Sequence, residues 1–121
     1  MAHLTFTEHD GVSVLTADRP PANAMDLTLL DEIVDAVEGL AAKPPPALVL
    51  AGRPGFFSAG LDLKAVPGYG PPEQRRLVDG INRMAIGVYG LPCPVVCAIT
   101  GHAIAGGFVL AVCGDHRVAA T

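Results

Sequence analysis

The chain has 121 residues, of which 50% are hydrophobic and 17% charged, with 14 Gly and 11 Pro. That length holds one domain, or part of one, with a real apolar core, and the high apolar fraction excludes an intrinsically disordered chain. A formal net charge of −4, with no basic cluster larger than Arg75-Arg76, excludes the electrostatic footprint of a nucleic-acid or anionic-membrane surface.

Residues 4–7 and 12–16 read as two strands, and Asp10-Gly11 between them is a hairpin signal. Residues 18–26, with Pro20-Pro21, form a loop whose last residue, Asp26, suits a helix N-cap. Leu27, Leu30, Ile33, Val34, Val37 and Leu40 then recur at helical spacing, with Asp31, Glu32, Asp35 and Glu38 on the other side. Pro44-Pro45-Pro46 ends that helix, and residues 47–50 are a short apolar run suited to a strand buried on both faces. Residues 52–60 are expected as loop, 61–65 as a short helical turn, and 66–72 as irregular because of their Gly and Pro. A second helix is expected over residues 73–89, with Leu77, Ile81, Met84, Ala85 and Val88 inward, although Gly80 and Gly87 count against it on propensity. Residues 95–99 read as another buried strand, 101–107 as a tight turn, 108–113 as a helix and 117–120 as a final strand. A hairpin followed by alternating strands and helices gives an α/β chain with βαβ units.

Residues 84–114 carry no formal charge apart from His102, and mean hydropathy is +0.43. Gly and Pro break every window of that stretch long enough to span a bilayer, so a buried strand and helix explain it better than a membrane span. The first ten residues lack a cationic-then-apolar leader pattern. Cys93, Cys97 and Cys113 form no CxxC pair and read as buried thiols of a cytoplasmic protein. The last apolar run reaches Thr121 without a cap or polar tail. The expectation is therefore the N-terminal part of a longer domain, with Val and Ala exposed near residues 118–120.

Two segments stand out as chemistry-bearing: Phe57-Ser58-Ala59-Gly60-Leu61-Asp62-Leu63 and Gly101-His102-Ala103-Ile104-Ala105-Gly106-Gly107. Each follows an expected strand and leads toward a helix, where backbone N–H groups lack helical partners and the helix end adds partial positive charge. Two such turns on adjacent strands could aim two N–H groups at one oxygen, which is an oxyanion hole. The alternative is that the glycines only make turns and permit close packing. A phosphate-binding loop is not supported, because Gly107 and Phe108 stand where the Lys and Ser/Thr of that motif belong.

These segments, together with Arg19-Pro20, Asn23-Ala24-Met25, Pro94-Val95-Val96 and Gly114-Asp115-His116-Arg117-Val118-Ala119, resemble in order and spacing the N-terminal half of the enoyl-CoA hydratase/isomerase (crotonase) family. The resemblance implies a fold: over residues 1–121, one partial crotonase-type α/β spiral of ββα repeats, truncated before the C-terminal helices. It implies an enzyme acting on acyl-CoA thioesters, with coenzyme A as part of the substrate, no separate cofactor and no metal. It also implies a homotrimer or hexamer for the full-length chain.

Carried over residue by residue, the backbone N–H groups of Leu61 and Gly106 match the family's oxyanion hole, which holds the thioester oxygen as it becomes an enolate. The Ala59, Gly60 and Leu61 backbone matches the stretch bordering the CoA adenine. Lys64 falls where the family often has a cation near the CoA phosphates, against the alternative of a solvated surface lysine. Pro21 stands where a basic residue sometimes follows the Arg-Pro pair. His102, Gly107 and Val109 belong to the second turn and its continuation along the substrate site. At His102 the family more often has an aromatic or small residue that shapes the pocket. Asp62 is expected to cap the turn that follows it, and Asp115 to serve as a structural hydrogen-bonding residue.

The chief departure is Val109, three residues after Gly106, where hydratases of the family carry a Glu that positions water. A second family carboxylate, the acid/base, would lie beyond Thr121. Isomerisation, which a single carboxylate can serve, is therefore favoured over hydration. Hydration remains open if the missing part supplies the acid/base. A non-catalytic acyl-CoA-binding protein and a structural or partner-binding module remain as further alternatives.

Overall fold

A computed structural model describes residues 2–119 and lays out three successive ββα units along them. The first is β1 (Leu4–His9), β2 (Val12–Ala17) and α1 (Leu27–Ala42). The second is β3 (Ala47–Ala51), β4 (Gly55–Ser58) and α2 (Pro71–Tyr89). The third is β5 (Val95–Ile99), β6 (Gly101–Ala103) and α3 (Gly106–Cys113), after which comes β7 (His116–Ala119). The expected last strand reached Ala120, which lies outside the described residues.

β1, β2, β3, β5 and β7 form one sheet in that order, antiparallel between β1 and β2 and parallel thereafter. The parallel pairs are joined through helices, as βαβ chemistry requires. Asp10 and Gly11 both have positive φ, 52° and 84°, so the hairpin turn matches the strand twist. Register places Phe6, Leu15, Leu50, Cys97 and Arg117 in one row across the sheet. Leu15 and Leu50 share an apolar cavity of about 30 Å³ with Leu29, Ile33 and Val37 of α1, Val88 of α2 and Leu110 of α3. That common lining fixes the helices over this face of the sheet.

α1 starts where expected: the Asp26 carboxylate accepts the Leu29 N–H at 2.8 Å. Its buried face is Leu29, Leu30, Ile33, Val34, Val37 and Leu40. α2 begins at Pro71, two residues earlier than expected, because proline is well suited to a first turn that needs no N–H acceptor. The Glu73 carboxylate accepts the Gly70 N–H there at 3.3 Å. The glycines that argued against α2 prove to be packing sites. A Cβ at Gly80 would stand 2.7 Å from Leu30 Cδ2, and one at Gly87 would stand 2.8 Å from Val37 Cγ1.

The expectation of loop over residues 52–60 and of a simple tight turn over 101–107 is corrected. Each contains a short strand, β4 and β6, and the two pair in parallel as a separate two-stranded sheet. Strands of three or four residues without apolar alternation carry too little periodicity to be seen in sequence. Residues 66–72 also contain a 3₁₀ turn at Val66–Gly68, where irregular chain was expected. Among the described residues no helix is long and apolar enough to cross a membrane. The three thiols are unpaired, and burial pushes Cys97 up to about 11. Val118 and Ala119 are exposed, as expected for the far edge.

Candidate functional site

The site is assembled around the loop between β2 and α1. Asn23 is 1% exposed, with φ 53°. Its side-chain oxygen accepts the Arg19 N–H at 2.7 Å, and its amide donates to the carbonyls of Ala17 at 2.9 Å and Phe57 at 3.2 Å. The Arg19 guanidinium donates to the Ala24 carbonyl and to Asp62, at 2.8 and 2.9 Å, and pairs with Asp26 at 3.2 Å. One arginine thus ties the loop, the start of α1 and the segment after β4 together. In sequence, Arg19 and Asn23 stand out only as members of the Arg19-Pro20 and Asn23-Ala24-Met25 motifs, with no structural task. An Asn flanked by Ala22, Ala24 and Met25 is the signal that it would be buried and fully bonded.

Most of the backbone donors after β4 have a partner. The Ala59 N–H donates to the Ala22 carbonyl at 3.0 Å, the Gly60 N–H to Ser58 Oγ at 3.1 Å, and the Asp62 N–H to the Met25 carbonyl at 2.9 Å. The Leu61 N–H has no acceptor among the described residues. Asp62 takes the capping role expected of it: its carboxylate accepts the N–H groups of Lys64 at 2.8 Å and Ala65 at 3.1 Å. Those backbone donors, chiefly Lys64, and then the Arg19 guanidinium hold the Asp62 carboxyl below the usual carboxylate range. The Lys64 side chain is exposed.

The turn between β6 and α3 mirrors this. The Ile104 N–H donates to the Ser58 carbonyl at 3.0 Å, the Gly107 N–H to the Ile104 carbonyl at 2.9 Å, and the Val109 N–H to the Ala105 carbonyl at 3.0 Å. The Gly106 N–H has no acceptor among the described residues, and neither do those of Ala105 and Phe108. Ala105, just before it, sits at φ 50° and ψ −115°, a backbone region that L-residues rarely enter.

The two turns touch. Gly60 has φ 87°, and a Cβ there would lie 2.7 Å from the Ile104 carbonyl oxygen and 3.0 Å from the Gly106 nitrogen. A Cβ on Gly106 would lie 3.9 Å from the Leu61 nitrogen. Standard bond geometry then puts the Leu61 and Gly106 nitrogens within about 6.5 Å of each other. Gly107 packs still closer, since a Cβ there would fall 2.2 Å from the Ser58 carbonyl oxygen.

The remaining residues singled out in sequence are placed as follows. His102 is exposed on β6 and packs on Phe56, ring centroids 5.1 Å apart. Val109 is 39% exposed in the first turn of α3. Asp115 is structural, as expected: its carboxylate accepts the Val95 N–H at 2.8 Å, and its own N–H returns a bond to the Val95 carbonyl. The Asp26 and Asp62 carboxylates both face Arg19, so neither is a free base. Two adjacent, unpaired backbone donors, one of them at a helix start, can together stabilise negative charge on one oxygen.

Comparison with known proteins bears on that chemistry. The family model described as "Enoyl-CoA hydratase/isomerase" matches residues 7–121. Carnitinyl-CoA dehydratase of Citrobacter koseri is 34% identical over 119 residues, covering 97% of this chain and 45% of the relative. The mitochondrial enoyl-CoA delta isomerase 1 of Mus musculus is 35% identical over 112 residues, covering 91% of this chain and 39% of the relative. Among solved structures, DspI of Pseudomonas aeruginosa superposes with a TM-score of 0.90 at 29% identity, over 98% of this chain and 50% of that one. The chain thus spans half or less of the length of these relatives.

Proposed function

Because the chain belongs to the enoyl-CoA hydratase/isomerase family, we propose that it works on acyl-CoA thioesters and holds the thioester carbonyl oxygen between the Leu61 and Gly106 N–H groups. The observation that carries this reading is the proximity of two unbonded donors: the Leu61 and Gly106 N–H groups have no acceptor among the described residues, and their nitrogens lie within about 6.5 Å of each other. Negative charge on the oxygen is stabilised as the α-proton leaves, so an ordinary carboxylate becomes a strong enough base. That base is assigned to chain beyond Thr121. Ala59, Gly60 and Lys64 are assigned to the CoA portion, and Asp62 to holding that segment in place. His102, Gly107 and Val109 are assigned to the acyl side. The full-length protein is assigned a trimer or a pair of trimers in the cytoplasm, with no cofactor besides the CoA of the substrate.

Double-bond migration is preferred over water addition, because Val109 can neither bind nor deprotonate water. Similarity to a named isomerase supports it. Similarity to a named dehydratase supports the second reading, reversible hydration. The test is to give the full-length protein a 3-enoyl-CoA and a 2-enoyl-CoA separately. Conversion of the first to the conjugated 2-enoyl thioester is the expected result. Formation of 3-hydroxyacyl-CoA from the second at an equal or greater rate would establish hydration instead. Tight thioester binding with neither reaction would make the protein an acyl-CoA-binding protein.

A further inference from the structure

We propose that Met25 is the positioning residue of the Leu61 donor, and that it acts through its backbone N–H, which grips the other end of the peptide that carries the Leu61 N–H. The inference rests on reading the Leu61 and Gly106 N–H groups as the oxyanion hole. The Met25 N–H donates to the Gly60 carbonyl at 2.7 Å, and the Met25 carbonyl accepts the Asp62 N–H at 2.9 Å. These two bonds straddle Leu61 as a parallel bridge. The straddled residue of such a bridge turns its own N–H to the opposite side. The Gly60 carbonyl and the Leu61 N–H belong to one planar peptide and point in opposite directions. Fixing the carbonyl therefore fixes the direction of the donor.

The gripping loop is itself well anchored. Met25 and Asn23 are each 1% exposed, and Asp26, the next residue, caps α1. Gly60, by contrast, sits at φ 87° without the Cβ that confines other residues, so the orientation of its peptide has to be imposed from outside. The second donor has the same arrangement built from local chain. The Ala105 carbonyl belongs to the peptide that carries the Gly106 N–H, and it accepts the Val109 N–H at 3.0 Å. There the first turn of α3 supplies the grip. No helix starts at Leu61, and a loop 36 residues away in sequence supplies it instead. A hydrogen bond on the carbonyl also polarises its peptide and strengthens the N–H as a donor. Direction and strength both count most when negative charge sits on the oxygen between the two donors.

The experiment replaces Met25 of the full-length protein by its α-hydroxy acid, which exchanges the backbone N–H for an ester oxygen and keeps the side chain. Two ligands are compared: a saturated acyl-CoA and a 3-ketoacyl-CoA, whose acidic α-carbon lets it bind as an enolate. The readout is the ratio of their affinities, which is independent of the fraction of molecules folded when both are measured on one sample. The wild type is expected to prefer the enolate ligand. The ester at Met25 is expected to lower that preference about fivefold, within the range for one lost hydrogen bond, with saturated acyl-CoA affinity nearly unchanged. The same exchange at Leu30, whose N–H donates to the Asp26 carbonyl at 3.0 Å, removes a backbone bond inside α1 and should leave the ratio alone. The ester also weakens the Ala24 carbonyl that Arg19 holds, so Arg19→Gln is measured beside it. An unchanged ratio in the Met25 ester, or an equal fall in the Leu30 ester or in Arg19→Gln, overturns the proposal and leaves the oxyanion hole standing. A wild type that shows no preference at all overturns the oxyanion-hole reading itself, and the Met25 proposal with it.

Discussion

The five-stranded sheet with its helices and the small β4–β6 sheet beside it are held together by different forces. The large layer is a side-chain structure. Leu30, Leu48, Met84 and Cys97 are fully buried, and the strands run in unbroken register from Phe6 to Arg117. The small layer is a backbone structure. Its glycines let main chain approach main chain, its bonds run between loop carbonyls and loop N–H groups, and Ala105 is held in a costly conformation. Burial gives the first region its stability, because it is non-directional and additive over area. Direction gives the second its chemistry, because unpaired N–H groups work only when aimed. The molecule separates the two tasks between two sheets.

That separation can be broken most sharply at Gly106. A side chain there meets only ordinary contacts at 3.6 Å and beyond, and proline is tolerated at the first position of a helix. Gly106→Pro in the full-length protein removes that N–H; it should keep most of its affinity for CoA and lose turnover by the equivalent of at least about 3–4 kcal/mol of barrier, since the proline also constrains Ala105 before it. Steady-state kinetics beside CoA-thioester binding checks this. The opposite pattern is expected in the large layer. Ile33→Val should cost about 1 kcal/mol of stability through the deleted methyl group and leave kcat unchanged, as denaturant melts and kinetics on the same samples would show.

The smallest effect sharpens the boundary between the regions. A carboxyl whose pKa is lowered on folding contributes stability above its unfolded value and loses it as pH falls through the folded one. Asp62→Asn should therefore cost less than about 1 kcal/mol at neutral pH, as expected of a partly exposed charge pair. The gap to wild type should close as pH drops below about 4. Thermal melts over that range measure it, and a gap that stays constant into acid would remove the Arg19–Asp62 contact from the account.

The contrast also explains what could be read from sequence. α1 was legible because Leu30, Ile33, Val34 and Val37 repeat at helical spacing behind a capping Asp26. The parallel strands were legible as short apolar runs between helices. The two turns were found as positions, and Leu61 and Gly106 were picked out through the family resemblance. What escaped was the support: β4 and β6, the bond from Asn23 to Phe57, and Ser58 as the joint between turns. These depend on which distant carbonyl meets which N–H, and hydrophobic periodicity carries no record of that.

The two glycine notches of α2 have a consequence for how this sequence can change. Gly80 receives Leu30, and Gly87 receives Val37, so one spacing of seven residues is written twice, once on each helix. The pairs ascend together along both helices, and α1 and α2 are therefore keyed at two points like a bolt with two wards. A slide by one turn would lift both knobs out at once, so the helices have one seating and no neighbouring one. Inheritance feels the same lock. A larger residue at 80 is a lesion with Leu30 in place and a candidate repair once position 30 has shrunk. The four positions can be expected to drift as linked pairs, each substitution setting the terms on which its partner is allowed to follow.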